Sequence, residues 1–225
     1  MSTDPTHPRC VVVVPVKPPA FGKSRLAGDP FQHLGDDERR DLAEAFALDT
    51  VQAASATPGV EVVLVVTDDF RLAAAMRALG LEVMPDGASE DLNATLVQAA
   101  AEVVRRWPGA VPIALCADLP GLRPTELAPV LAEAVRLVAA GRTAFVRDRA
   151  GVGTTMYAAA GDAFEPGFGP DSAARHLAAG AVEVGQDAPS VRADVDDLAD
   201  LGAALVAGVG PRTSLASRRR ATPLG

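Results

Sequence analysis

Cys10-Val11-Val12-Val13-Val14-Pro15 is an unbroken apolar run closed by a proline. A strand with one wet face would carry a polar residue at every second position. This run carries none, which predicts a strand buried on both faces. The same reading applies to Val60 to Val66 and Val111 to Ala117, with a shorter piece at Leu81 to Met84. Helical patterns lie between them. Asp36 to Thr57 spaces Leu42, Ala45, Phe46, Asp49 and Val51 at roughly helical intervals before Pro58-Gly59 stops it, and Asp68 to Gly80, Asp91 to Arg106 and Pro124 to Ala140 follow. Apolar strands joined by helical crossovers predict an α/β sandwich, a mainly parallel sheet covered on both sides with its ligands at the carboxyl ends of the strands. The site is therefore expected on Pro15 to Arg25, Thr67 to Asp69 and Cys116 to Pro120.

After Gly141 the rhythm shortens. Ala144 to Arg147, Thr154 to Ala159 and Ala181 to Val184 read as a small added sheet region in which antiparallel pairing is open, with a short helix over Asp171 to Ala179 and a last one over Val195 to Val206. No internal repeat and no composition shift marks a second domain. The expected organisation is a flexible N-terminus over 1–9, one domain over 10–208 and an Arg-rich disordered tail over 209–225.

The 225 residues are 48% apolar and 22% charged with a net charge of −8, which excludes a disordered or collagen-like chain. The acidic balance argues against nucleic acid or an anionic membrane as the main partner. The one basic cluster, Arg218-Arg219-Arg220, lies in the tail; without residues 211–225 the charge falls to −12. Cys10 and Cys116 sit in apolar runs without any ligand spacing, as reduced core cysteines do. Residues 1–9 contain no apolar stretch of the kind that directs export, so a soluble cytoplasmic protein is expected. Nineteen of the 21 basic residues are arginines; the two lysines, Lys17 and Lys23, fall within seven residues of each other. Asn93 is the only asparagine and Ile113 the only isoleucine, and Ile113 lies in a plain apolar run, so rarity alone proves nothing.

Lys17, Lys23 and Arg25 follow the first strand directly. Gly22-Lys23-Ser24 imitates the end of a phosphate-binding P-loop, but the motif's first glycine would fall on Lys17, and no GxGxxG occurs there. What remains is a three-cation loop at the mouth of a sheet in an acidic body, suited to a triphosphate, or a merely solvated basic loop. Asp118, in Ala117-Asp118-Leu119-Pro120, follows a buried run and is placed to hold Mg²⁺. Asp194 and Asp196 alternate on an extended segment and can close on the same cation, unless they are surface acids; Asp197 suits a cap of the last helix. Gly151-Val152-Gly153-Thr154-Thr155 and Phe168-Gly169-Pro170-Asp171-Ser172 offer backbone N–H groups and hydroxyls to an anion, although an ordinary turn and cap would look alike, and Asp171 opposes an anion. Asn93 opens a helix; its amide could read a base edge or serve as a cap or packing group. His33 and His176 have no partner pattern, so no Ser/His/Asp triad is supported.

In order along the chain, Pro15-Val16-Lys17 with Lys23-Ser24-Arg25-Leu26, Leu92-Asn93-Ala94, Ala117-Asp118-Leu119-Pro120, Gly153-Thr154-Thr155, Phe168-Gly169-Pro170 with Ser172 and Arg175-His176, and Asp194-Val195-Asp196 resemble the guanylyltransferases of coenzyme F-420 biosynthesis, which act on phosphoenolpyruvate or 2-phospho-L-lactate. The resemblance spans about residues 10 to 208. It implies a nucleotidyltransferase fold of the glycosyltransferase-A type, and GTP and a phosphorylated three-carbon acid as substrates, giving a diphosphate-bridged guanosine product and pyrophosphate. By position it implies that Thr154, Gly169 and Ser172 hold the acid; Asn93 is counted with the substrate-binding residues on its own reading, as an amide able to meet a base edge. Asp118, Asp194 and Asp196 gather Mg²⁺, and Lys17, Lys23 and Arg25 neutralise the phosphates. The sequence does not distinguish phosphoenolpyruvate from 2-phospho-L-lactate; the Arg-rich, lysine-poor composition points to a high-GC source, in which the resemblance favours phosphoenolpyruvate. Two other readings stay open: a nucleotidyltransferase for a molybdopterin or sugar phosphate, and a non-catalytic nucleotide-binding module.

Overall fold

The computed structural model describes residues 9–16, 35–88 and 91–221. Its elements are β1 (Cys10–Pro15), α1 (Asp36–Ser55), β2 (Val60–Val66), α2 (Phe70–Ala78), β3 (Glu82–Met84), α3 (Leu92–Arg106), β4 (Val111–Leu115), α4 (Pro124–Ala139), β5 (Ala144–Arg147), β6 (Thr154–Ala158), a 3₁₀ turn (Gly161–Ala163), α5 (Ser172–Ala178), β7 (Val182–Glu183), α6 (Pro189–Arg192), α7 (Leu198–Ala207) and α8 (Pro211–Ala221).

The valine run is the centre of the sheet. Successive side chains of a strand leave to opposite faces. On one face Cys10, Val12 and Val14 join Ala47, Val51 and Ala54 of α1, Met76 of α2 and Leu127 and Leu131 of α4; on the other Val11 and Val13 join Leu96, Ala99 and Val103 of α3. Helices therefore cover both faces. β1 pairs in parallel with β2 and β4, and β2 with β3.

The three later strands are the added region, and the antiparallel pairing left open for them is present. They extend the main sheet, whose order is β3-β2-β1-β4-β6-β5-β7. β6 runs antiparallel to both β4 and β5, and β7 is parallel to β5. The reversal brings the start of β6 to the edge where β1, β2, β4 and β5 end. Thr154 thus lies beside the exits toward Asp118 and Asp148.

The segment expected to be a disordered tail departs most from expectation. Pro211–Ala221 is a helix, packed against α1. The Asp49 carboxylate on α1 accepts the backbone amides of Arg212 (3.2 Å) and Thr213 (2.8 Å), N–H groups that the first turn of a helix cannot satisfy internally. Asp49 is itself buried, and Gly210 is needed beside it because a Cβ there would run into its carboxylate. A third apolar cluster joins Leu42 and Phe46 of α1 to Val195, Leu201 and Ala204, with Val209 and Ala216 against it. No helix among the described residues is long and apolar enough to cross a membrane.

Candidate active site

Beyond Leu115 the chain leaves β4 as Cys116-Ala117-Asp118-Leu119, a turn held from two sides. The fully buried Thr50 hydroxyl of α1 donates to the Ala117 carbonyl and accepts the Leu119 amide, both at 3.1 Å. On the opposite flank the Asp118 carbonyl accepts the Val195 amide at 3.0 Å, which lays the Asp194-Val195-Asp196 segment alongside Asp118. Val195 is buried in the third cluster and anchors its two acidic neighbours. Asp197 caps α7 as expected, accepting the Asp200 amide at 2.8 Å, while Asp200 accepts the Asp196 amide and is paired with Arg149 at 2.6 Å.

The backbone bond sets Asp118 beside the Asp194–Asp196 segment, and Asp194 feels the charges of both Asp118 and Asp196. Burial, followed by the charges of Asp118, Asp196 and Asp148, pushes the Asp194 carboxyl up to about 7 from an ordinary 3.8. Among the described residues no three carboxylate, histidine or cysteine groups converge into a ready-made metal cage. The donor chemistry nevertheless fits Mg²⁺, a hard cation that takes few protein oxygens and leaves its other positions to water and phosphate. Such a cation would relieve the repulsion centred on Asp194.

Asp148 is a residue that sequence reasoning missed. Its buried carboxylate accepts the amides of Gly151 (2.6 Å), Val152 (3.0 Å) and Gly153 (2.7 Å), while Arg192 holds its carbonyl. Those amides are therefore not an anion cradle: an aspartate of this chain already fills it. A signal was present, since an Asp followed by Gly-x-Gly after a strand favours an Asx-type turn. The opening of α5 needs a similar correction. The Ser172 amide donates to the Gly169 carbonyl and the Ala173 amide to the Val152 carbonyl. What the segment offers an anion is the Thr154 and Ser172 hydroxyls and the Gly169 amide, which makes no hydrogen bond among the described residues.

Asn93 is not open to a base. Its amide nitrogen donates to the Phe168 carbonyl (3.1 Å) and its oxygen accepts the Phe168 amide (2.8 Å), pinning the loop that carries Gly169 to the start of α3, which Asp91 caps. Gly169 has φ +123°, and a Cβ there would stand 3.1 Å from the Arg175 guanidinium. His176, without an evident partner in the sequence, is buried between Thr154 Oγ1, 3.0 Å from its Nδ1, and the Gly167 amide, which donates to its Nε2 at 2.9 Å. Burial, and secondarily the Arg175 charge, lower its pKa to about 4. Lys17, Lys23 and Arg25 lie outside the described residues; Val16, just before them, donates its amide to Val66 at the carboxyl end of β2.

Residues 10–215 match the family described as guanylyl transferase CofC like. A phosphoenolpyruvate guanylyltransferase of Streptomyces coelicolor is 49% identical over 210 residues, covering 92% of this chain and 95% of that protein. Among solved structures, 4-diphosphocytidyl-2C-methyl-D-erythritol synthase superposes with a TM-score of 0.56 at 13% identity, over 89% of this chain and 98% of that one. A Mycobacterium tuberculosis protein solved with manganese gives 0.50 at 18%, over 89% and 100%. At such low identity the two structures establish the nucleotidyltransferase fold alone. The sequence match reaches from the first strand into α8 and takes in Asp118, Thr154 and Asp194 alike, so the chain belongs to the CofC-like guanylyl transferase family.

Proposed function

We propose that this protein transfers the guanylyl group of GTP to the phosphate of phosphoenolpyruvate, as a cytoplasmic step toward coenzyme F-420. What supports the reading is that the antiparallel β6 starts at the sheet edge where β4 ends, next to the turn whose Asp118 carbonyl bonds the Asp194–Asp196 segment; Asp118, Asp194 and Asp196 are assigned to one half of the site, and Thr154, Gly169 and Ser172 to the other. A phosphate oxygen of the acid attacks the α-phosphorus of GTP, the bond from that phosphorus to the bridging oxygen breaks, and pyrophosphate leaves. The attacking oxygen is already ionised, so no protein base or nucleophile is needed. His176 accordingly takes no part in proton transfer, with both ring nitrogens engaged.

Two anions must meet, and the chain's task is to lower their repulsion and align them. Thr154, Ser172 and the Gly169 amide donate to the acid, with the Asn93 grip on Phe168 fixing the loop. Lys17, Lys23 and Arg25, following β1 in sequence, meet the triphosphate. Asp118, Asp194 and Asp196 would hold Mg²⁺, which supplies charge neutralisation at the reacting phosphates. The test is to incubate the protein with GTP, Mg²⁺ and either phosphoenolpyruvate or 2-phospho-L-lactate, following pyrophosphate and product mass. The expected result is enolpyruvyl-diphospho-5'-guanosine; pyrophosphate formed without any acid adduct would overturn the reading.

A further inference from the structure

We propose that His176 is a positioning residue that turns the Thr154 hydroxyl proton toward the acid substrate, so that Thr154 acts there as a hydrogen-bond donor. The inference rests on the reading of Thr154 as a contact to that substrate. A backbone amide can only donate, and the Gly167 amide meets His176 Nε2 at 2.9 Å. Nε2 therefore carries its lone pair. In a neutral imidazole the proton then sits on Nδ1, 3.0 Å from Thr154 Oγ1. Thr154 must accept that proton's hydrogen bond. Its own hydroxyl proton is left to point elsewhere than the ring.

The ring has little freedom to reverse these roles. It stacks on Tyr157 at 4.8 Å and 24°, meets the edge of Phe168 at 5.8 Å and lies 5.5 Å from Phe145. A protonated ring would set an Nε2–H against the Gly167 N–H, in keeping with a pKa held down to about 4. The same imidazole ties the acid's contacts to one another. Through Nδ1 it reaches Thr154 on β6; through Nε2 it reaches Gly167, next to the Phe168 that Asn93 grips. Its own helix carries Ser172 one turn earlier on the same buried side. A histidine serving only as core filling would need the aromatic contacts but not this directional pair.

Two measurements test the proposal. Long-range ¹H–¹⁵N spectra of the labelled, ligand-free protein at neutral pH should show His176 protonated at Nδ1 and bare at Nε2; the opposite tautomer, or a doubly protonated ring, would overturn the proposal. Steady-state kinetics on His176→Phe, which suits the aromatic surroundings, should show the KM for phosphoenolpyruvate raised about tenfold or more, the loss expected for a hydrogen bond to an anion. The KM for GTP and kcat should stay within about twofold. His176→Asn, whose amide N–H falls near the lost Nδ1–H, should recover most of the difference. Thr154→Val separates the two ideas. If it raises the phosphoenolpyruvate KM while His176→Phe does not, the role of His176 falls and the substrate reading stands. If Thr154→Val leaves that KM unchanged, the substrate reading falls and the proposal with it, whatever the tautomer.

Discussion

Thr50 holds the backbone on both sides of Asp118: its hydroxyl bridges the Ala117 carbonyl and the Leu119 amide, the two peptide groups that flank the aspartate. Thr50→Val keeps the shape and deletes the bridge, leaving a buried N–H and C=O without a partner at a cost of about 1–3 kcal/mol. Chemical denaturation should register that loss. Kinetics should show kcat reduced with both KM values little changed, and Thr50→Ser should restore both properties.

Asp194 should set stability against activity. Its carboxylate is disfavoured by burial and by three neighbouring acids, so Asp194→Asn relieves the metal-free protein while removing a cation ligand. The expected outcome is a higher Tm without divalent metal, by about 2–4 °C for each ~1 kcal/mol relieved. Guanylyl transfer should be abolished. Asp118→Asn should lose transfer as well, with the fold retained by circular dichroism; near-wild-type rates in either variant would remove the metal assignment.

Gly169→Ala should weaken binding of the acid more than of GTP. The added Cβ needs a left-handed backbone at φ +123° and crowds the Arg175 guanidinium, so the loop must shift away from the position that Asn93 gives it. A phosphoenolpyruvate KM raised severalfold at constant GTP KM is the measurement to expect.

His176→Phe should also change how stability depends on pH. Between the ordinary pKa of 6.5 and the folded value of about 4, the unfolded chain takes up a proton at this position and the folded one does not. Wild-type stability therefore loses a contribution as pH falls from 6.5 toward 4, which the variant keeps. Denaturation across that range should show the variant gaining on wild type by on the order of 3 kcal/mol.

Asp49→Ala should release α8 from α1. Limited proteolysis should then cut within 208–221 faster than in wild type, with stability lower by about 1–2 kcal/mol for the lost helix cap.

The sheet's framework was readable because its strands announce themselves. Val60–Val66 and Ala144–Arg147 begin and end where the apolar runs do, and the helices differ from expectation mainly by one to three residues at their ends, where caps such as Asp69 and Asp91 stand outside. Pairing was harder to read. β6 and β7 are five and two residues long, and nothing local says that β6 reverses beside β4. Asp118 was singled out by its place after a buried run, and Asp194 and Asp196 by their alternation on an extended segment, but the groups that hold these segments were not visible. Thr50 lies 67 residues from Ala117, and Asn93 lies 75 from Phe168. α8 was misread because Arg218-Arg219-Arg220 dominates a polar segment. The acid that docks it had already stood out of place on the apolar side of α1, and a buried Asp49 calls for a partner.

Asp49 and Thr50 are consecutive residues, one receiving the amino end of α8 and the other the Asp118 turn. Their partners lie far apart along the chain. The ribosome releases α1, β1 to β4 and Asp118 early, yet Asp49 meets Thr213 only after 164 further residues. Until then a buried-to-be charge remains in water, and Asp194 and Asp196 do not exist. The two halves of the candidate site are thus made far apart in time, and α1 bonds to the Asp118 turn and to the start of α8 through neighbouring residues.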